Sequence, residues 1–179
     1  MNIRVIQKHQ WPQVKEIYLE AFPKAERKPF FILKHSVKRG KAELFTASEG
    51  DQLLGFVVVI PYRNMVMVDY LAVNGKVRSK GTGSQIMAEI CSRFQDKKIV
   101  LLIEQLDDGT DNCEQRIARK RFYLKNRFTP SGIIITGSSG RMEILNFGGT
   151  VSPSEYLELQ QYALGKLFFL LSGITLAAQ

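Results

Sequence analysis

Val73-Asn74-Gly75-Lys76-Val77-Arg78-Ser79-Lys80-Gly81-Thr82-Gly83-Ser84 is the stretch on which the fold turns. It follows an apolar, strand-like run at 65–73 and opens onto an amphipathic helical pattern. A strand, a basic turn and a helix start form a cradle for phosphate. The first N–H groups of a helix have no intrahelical partner, and the helix dipole adds partial positive charge at that end. Gly81 and Gly83 let the backbone come close to a bound anion. The bland alternative is an ordinary strand-to-helix turn. Two other phosphate loops do not fit: there is no Gly-Lys-Ser/Thr run, and the spacing is one glycine short of the dinucleotide fingerprint.

Upstream, 3–6 reads as a short strand and 11–22 as a helix, with Trp11, Val14, Ile17, Tyr18, Ala21 and Phe22 along one stripe. A polar linker between Pro23 and Pro29 leads to a second helix at 30–38. Apolar or alternating runs at 42–48, 53–60 and 65–73 are separated by short turn-like segments, which fits antiparallel hairpins. Downstream, Ile86, Met87, Ile90, Cys91 and Phe94 form a helical stripe, followed by a buried strand at 99–104. That strand requires a helix-crossed parallel connection from the one ending at Val73. A loop at 107–112, a basic helix at 113–126 and a hairpin of 133–136 with 142–147 complete an α/β sandwich around a mixed sheet.

With 179 residues, 45% apolar and 23% charged, the chain is expected to be one domain with a real core. Its first six residues lack the apolar stretch of a secretory signal, so export is not expected and a reduced, cytoplasmic setting is the default. Cys91 and Cys113 form no CxxC pair and lie far in sequence from His9 and His35, so no metal site is expected. The formal charge of +8 is concentrated locally: Arg116, Arg119, Lys120, Arg121, Lys125 and Arg127 occur with no acid among them. Such a patch suits nucleic acid, an anionic membrane or a polyphosphate cofactor, and the alternative is a solvated helix face.

The spacing Arg78-x-x-Gly81-x-Gly83 resembles the acyl-CoA pyrophosphate motif of the GNAT superfamily of N-acetyltransferases, written Arg/Gln-x-x-Gly-x-Gly/Ala. The element order and the ending Arg121-Phe122-Tyr123-Leu124-Lys125-Asn126-Arg127-Phe128 share the resemblance, which spans about 1–148. It implies a GNAT-type mixed, mostly antiparallel sheet of six to seven strands flanked by about four helices. Residues 149–179 are then an extra C-terminal helical and apolar extension.

The resemblance also implies a direct attack of an amine on the acetyl-CoA thioester. Backbone groups at Leu71, Ala72 and Val73 would hold the pantetheine and the oxyanion, and Arg78, Ser79, Lys80, Gly81, Thr82, Gly83 and Ser84 the pyrophosphate. Tyr123 aligns with the tyrosine beside the cofactor sulfur, a phenol protonated at neutral pH that can supply a proton to a thiolate. Helical geometry puts Arg116, Arg119, Lys120 and Tyr123 on one side of their helix. Glu104, ending an apolar strand, is the candidate base. Asp107, Asp108 and Asp111 could attract a cationic acceptor or form a plain acidic loop, and Phe30 and Phe31 are core or line the acceptor groove.

Two positions depart from the family pattern. Arg116 replaces an asparagine often found seven residues before the tyrosine, and is a candidate for a cofactor phosphate. Arg127 replaces the helix-capping glycine, so either Asn126 takes the left-handed cap or the helix ends differently. In the extension, Ser152-Pro153-Ser154-Glu155 starts a capped helix, and the later apolar run is too short for a bilayer span of roughly 20 residues. It is expected to pack on its own domain or on a second copy in a homodimer, with no peripheral membrane contact expected.

These features lead to an acetyl-CoA-dependent N-acetyltransferase acting on an unidentified primary amine. A non-catalytic acyl-CoA sensor on the same fold is the alternative, and a nucleic-acid-binding protein is a third reading that is not favoured.

Overall fold

The computed structural model describes residues 1–24, 26–77, 81–106, 113–137 and 140–177. The architecture is mixed α/β, with an eight-stranded, mostly antiparallel sheet and six α-helices among the described residues. The chain forms two compact units, Met1–Pro61 with Val68–Arg93, and Tyr62–Met67 with Phe94–Gln179.

The first unit carries β1 (Asn2–Val5), α1 (Trp11–Ala21), α2 (Phe30–Lys38), β2 (Glu43–Glu49), most of β3 (Gln52–Tyr62), the later part of β4 (Met65–Val73) and α3 (Thr82–Arg93). β1 pairs antiparallel with β2, and β2 with β3, with a bulge between Ala47 and Ser48. Every residue of β3 from Leu53 to Ile60 is buried, which explains why this strand reads as a continuous apolar run rather than an alternating one. Val14, Ile17 and Tyr18 of α1 and Ile86, Met87 and Ile90 of α3 are the buried stripes that the three-and-four spacing predicts.

The second unit carries β5 (Lys98–Glu104), α4 (Cys113–Lys125), β6 (Thr129–Gly137), β7 (Gly140–Phe147), α5 (Pro153–Leu164), α6 (Lys166–Ser172) and β8 (Thr175–Leu176). β7 lies between β5 and β6, antiparallel to both, with Ile99 opposite Phe147 and Glu104 opposite Met142. β8 pairs antiparallel with β6 through Ile135 and Leu176.

The expected sheet of six to seven strands flanked by about four helices is β1 to β7 with α1 to α4. The extension adds α5, α6 and β8, and β8 forms because the free edge of β6 offers unpaired backbone groups. Two boundaries also move. β3 continues through Pro61 to Tyr62, leaving a tight turn at Arg63, whose φ is 52°. β6 starts at Thr129 and accommodates Pro130 next to an irregularity in its pairing with β7.

α5 begins with the expected capping box. Glu155 N–H donates to Ser152 Oγ at 3.2 Å, and Ser152 N–H donates to Glu155 Oε2 at 2.8 Å. Its inner face buries Tyr156 and Leu159, and Tyr162 stacks on Tyr62 at 4.7 Å. α6 differs: Leu167, Phe168, Leu170 and Leu171 are exposed. Among the described residues no helix is long and apolar enough to cross a membrane.

Candidate active site

In the first unit, the end of β4 is shaped by the strand beside it. Ala72 is buried, while Leu71 and Val73 are half-buried. A Cβ at Gly55 of β3 would lie 2.6 Å from the Ala72 carbonyl oxygen and 3.2 Å from both Ile86 Cδ1 and Val73 Cα. Only a residue without a side chain lets β3, β4 and α3 approach this closely.

Asn74 then turns the chain. Its N–H donates to the Leu54 carbonyl at 2.8 Å, and its side-chain amide donates to the Leu53 carbonyl at 3.1 Å. Its Oδ1 accepts from Lys76 N–H at 3.0 Å, and its carbonyl accepts from Val77 N–H at 3.0 Å, closing a 3-10 turn over Gly75–Val77. The chain re-enters at Gly81, whose φ of 75° lies in the left-handed region. A Cβ there would meet nothing nearer than Gln85 Nε2 at 3.9 Å, so backbone conformation rather than crowding calls for glycine. Thr82, buried, opens α3, with Gly83 and Ser84 half-buried behind it. Arg78, Ser79 and Lys80 lie outside the described residues.

In the second unit, α4 buries no residue completely and is held to the sheet by charge. Glu104, at the end of β5, is gripped by two guanidiniums. Arg119 Nη1 donates to its Oε2 at 2.9 Å, and Arg116 Nη2 lies 3.2 Å from its Oε1. Arg116 also donates from Nη1 to the Gln105 carbonyl at 3.2 Å, while its buried Nε has no hydrogen-bond partner among the described residues. One turn on, Lys120 donates to Glu143 Oε2 of β7 at 2.6 Å. These are partly buried, charge-assisted bonds, with the Glu104 and Glu143 side chains 15% and 14% exposed. Three of the six cations of the basic run are therefore internally paired, which leaves less charge for nucleic acid than the sequence suggests.

Tyr123 is half-buried, with its ring edge-on to Phe122 at 5.1 Å and to Phe128 at 5.9 Å. Burial pushes its hydroxyl up to about 12, and the Arg119 charge opposes the rise. The helix ends just beyond it in a Schellman motif: Phe128 N–H donates to the Tyr123 carbonyl at 3.1 Å, and Arg127 N–H to the Leu124 carbonyl at 3.0 Å. Arg127 itself, with a φ of 69°, takes the left-handed position, so Asn126 does not. The cap fixes the Tyr123 backbone, and buried Phe128 braces its ring.

The second unit thus brings Glu104, Arg116 and Arg119 together, with Tyr123 under the influence of Arg119. Asp107, Asp108 and Asp111 lie outside the described residues. Phe30 packs edge-on against Trp11 at 5.9 Å, whereas Phe31 is exposed. Sequence reasoning missed Gly55, Asn74 and Glu143. A glycine inside an apolar run and a carboxylate inside an apolar strand were the available signals for the first and the last.

Comparison with known proteins follows the same lines. Residues 40–130 match the family model described as an acetyltransferase (GNAT) domain. No curated protein matches the chain in sequence. Among solved structures, a GNAT-family protein from Bacteroides thetaiotaomicron superposes with a TM-score of 0.72 at 18% identity, covering 98% of this chain and 100% of its own. A Bacillus subtilis acetyltransferase in complex with CoA gives 0.63 at 18% identity, over 82% and 97% of the two chains. An aminoglycoside 6'-N-acetyltransferase from Enterococcus faecium gives 0.64 at 16% identity, over 82% and 96%. At these identities the likeness concerns the fold.

Proposed function

The chain belongs to the GNAT acetyltransferase family, and from that premise we propose that it transfers an acetyl group from acetyl-CoA directly to a primary amine. The observation that carries this reading is the start of the phosphate cradle: β4 ends in an Asn74-built turn, and α3 opens behind a left-handed Gly81. The start of α3 suits a pyrophosphate through its dipole, and Arg78, Ser79, Lys80, Thr82, Gly83 and Ser84 would supply donors to it. Backbone groups of Leu71, Ala72 and Val73 would hold the pantetheine and the thioester oxygen.

In the reaction, the neutral amine nitrogen attacks the thioester carbonyl carbon, the carbon–sulfur bond breaks, the departing thiolate takes a proton, and the newly acylated nitrogen gives one up, which returns the donor to its protonated form. Tyr123 is the proposed donor, because a phenol raised to about 12 stays protonated throughout the neutral range. Glu104 has both oxygens engaged by Arg116 and Arg119, so it serves as base only where one of those pairs opens. As the pairs stand, its role is to hold α4, and with it Tyr123, against β5. The first deprotonation of the acceptor then falls to water.

That engagement of Glu104 also favours a second reading, an acyl-CoA-binding module without turnover. An acceptor screen that follows thiol release from acetyl-CoA, with calorimetric CoA titration alongside, separates the two. Release above background with any amine of the panel supports the transferase; tight CoA binding with none, and no effect of Tyr123→Phe on that binding, supports the module.

A further inference from the structure

The linker between α1 and α2 delivers a primary ammonium into the first unit. Lys28 Nζ sits on both carboxylate oxygens of Asp69, at 2.9 Å from Oδ1 and 2.8 Å from Oδ2. It also lies 5.7 Å from the centroid of the Tyr70 ring, within cation–π range. The pair is sheltered, with the Lys28 and Asp69 side chains 29% and 16% exposed.

Asp69 belongs to the half-buried set of β4. Strand alternation gives it the same face as Leu71 and Val73, the segment to which the thioester is assigned, while Val68, Tyr70 and Ala72 are buried.

The backbone around Lys28 is secured independently of its side chain. Tyr18 Oη donates to the Lys28 carbonyl at 2.9 Å, Lys28 N–H donates to Tyr70 Oη at 3.1 Å, and Tyr70 Oη donates to the Glu26 carbonyl at 3.4 Å. Tyr18 and Tyr70 meet edge-on at 5.0 Å, and Phe22 braces Tyr70 at 4.9 Å. Burial pushes both phenols up, so both keep the protons these bonds use. The ammonium can therefore leave Asp69 without unfastening the linker.

We propose that Asp69 and the Tyr70 ring form the seat for the acceptor's ammonium, that the acceptor is an unbranched primary alkylamine, and that Lys28 occupies this seat as a built-in stand-in until the acceptor displaces it. This rests on the acetyltransferase reading for its purpose, though not for its geometry. The Lys28 side chain itself shows what fits: an unbranched stem of four carbons ending in three N–H donors, two of them spent on Asp69. Exchange rather than addition follows from charge. The Lys28 ammonium already takes both oxygens of Asp69, and Lys41, whose pKa is lowered by burial and then by the nearby Lys28 charge, is a further cation that disfavours an added one.

Lys28→Ala empties the seat and keeps the backbone bonds, and n-butylammonium chloride restores the missing stem and ammonium. Thermal unfolding of the full chain is followed in butylammonium and in sodium chloride of equal concentration. At about ten times its dissociation constant for Lys28→Ala, butylammonium is expected to raise the Tm of that variant by about 3 °C over the salt control, to raise that of wild type by less, because there it must displace Lys28, and to leave Lys28→Ala/Asp69→Asn unmoved. No excess shift in Lys28→Ala, or an equal shift in the double variant, overturns the proposal and makes the pair a structural strut. Should Lys28→Ala not fold, Lys28→Ser carries the same comparison. The thermal reading needs no acetyl transfer, so its failure is distinguishable from failure of the transferase reading.

Discussion

Gly55→Ala tests how the end of β4 is held. The added methyl would lie 2.6 Å from the Ala72 carbonyl oxygen, about 0.8 Å inside an ordinary contact of 3.4 Å, and the atom it meets is backbone. Ile86 Cδ1 and Val73 Cα, both at 3.2 Å, block escape sideways. Overpacking of this kind costs about 1–3 kcal/mol, which lowers the Tm of a chain of this length by about 4–8 °C at the middle of that range. The displaced atoms belong to the segment proposed to hold the pantetheine. Losing two backbone hydrogen bonds there should weaken acetyl-CoA binding about tenfold or more. Val59→Ala, a fully buried position toward the other end of β3, is the control: it loses similar stability by leaving a cavity, without pushing on Ala72. Isothermal titration with acetyl-CoA and a melting curve on each variant make the comparison. If Gly55→Ala melts like Val59→Ala yet binds acetyl-CoA within twofold of wild type, the close approach at Ala72 does not shape the cofactor site.

Tyr123→Phe should lower the rate of thiol release by about a hundredfold or more with little change in CoA affinity, the mark of a lost proton donor. Because the folded Tyr123 hydroxyl is raised to about 12 while an unfolded tyrosine ionises near 10, its stabilising contribution is complete below pH 10 and is lost as pH rises toward 12; pH-dependent melts of the Phe variant should flatten in that window. Glu104→Gln should lower the Tm, because it leaves two guanidiniums facing each other, and Arg116→Met in the same chain should recover part of the loss; a variant that keeps its Tm but loses turnover with a changed pH profile would instead mark Glu104 as the base. The Lys98 hydrogen bond, with Ser152 N–H assisting, holds the Glu155 carboxyl down at about 2 against 4.5 for the free group, so its contribution is present above pH 4.5 and fades as pH falls toward 2. Acid titration of Glu155→Gln, monitored by circular dichroism, should show a weaker dependence across that interval than wild type.

Local pattern determined much of this protein. The three-and-four spacing of α1 and α3, the apolar strands β2 to β5 and the capping box at Ser152 are short-range signals; each reappears in the structure, and α1 and the strands do so within a residue or two of their expected limits. The loop at 73–84 likewise announces its position between a strand and a helix, because glycine and helix-start chemistry are written locally. What required the tertiary structure is pairing across distance. The sequence offers Glu104 as a free carboxylate and Arg116 as a free cation, yet folding spends them on each other, with Arg119 joining. Asp69 and Lys28 are separated by 41 residues and meet only because the α1–α2 linker is tied down by Tyr18 and Tyr70. Arg127 adopts a glycine-like backbone because the Schellman bonds around it, with the buried Phe128, outweigh the strain of a left-handed φ. Secondary structure follows from a residue's neighbours along the chain; the availability of a charged group follows from its neighbours in space, which only the fold supplies.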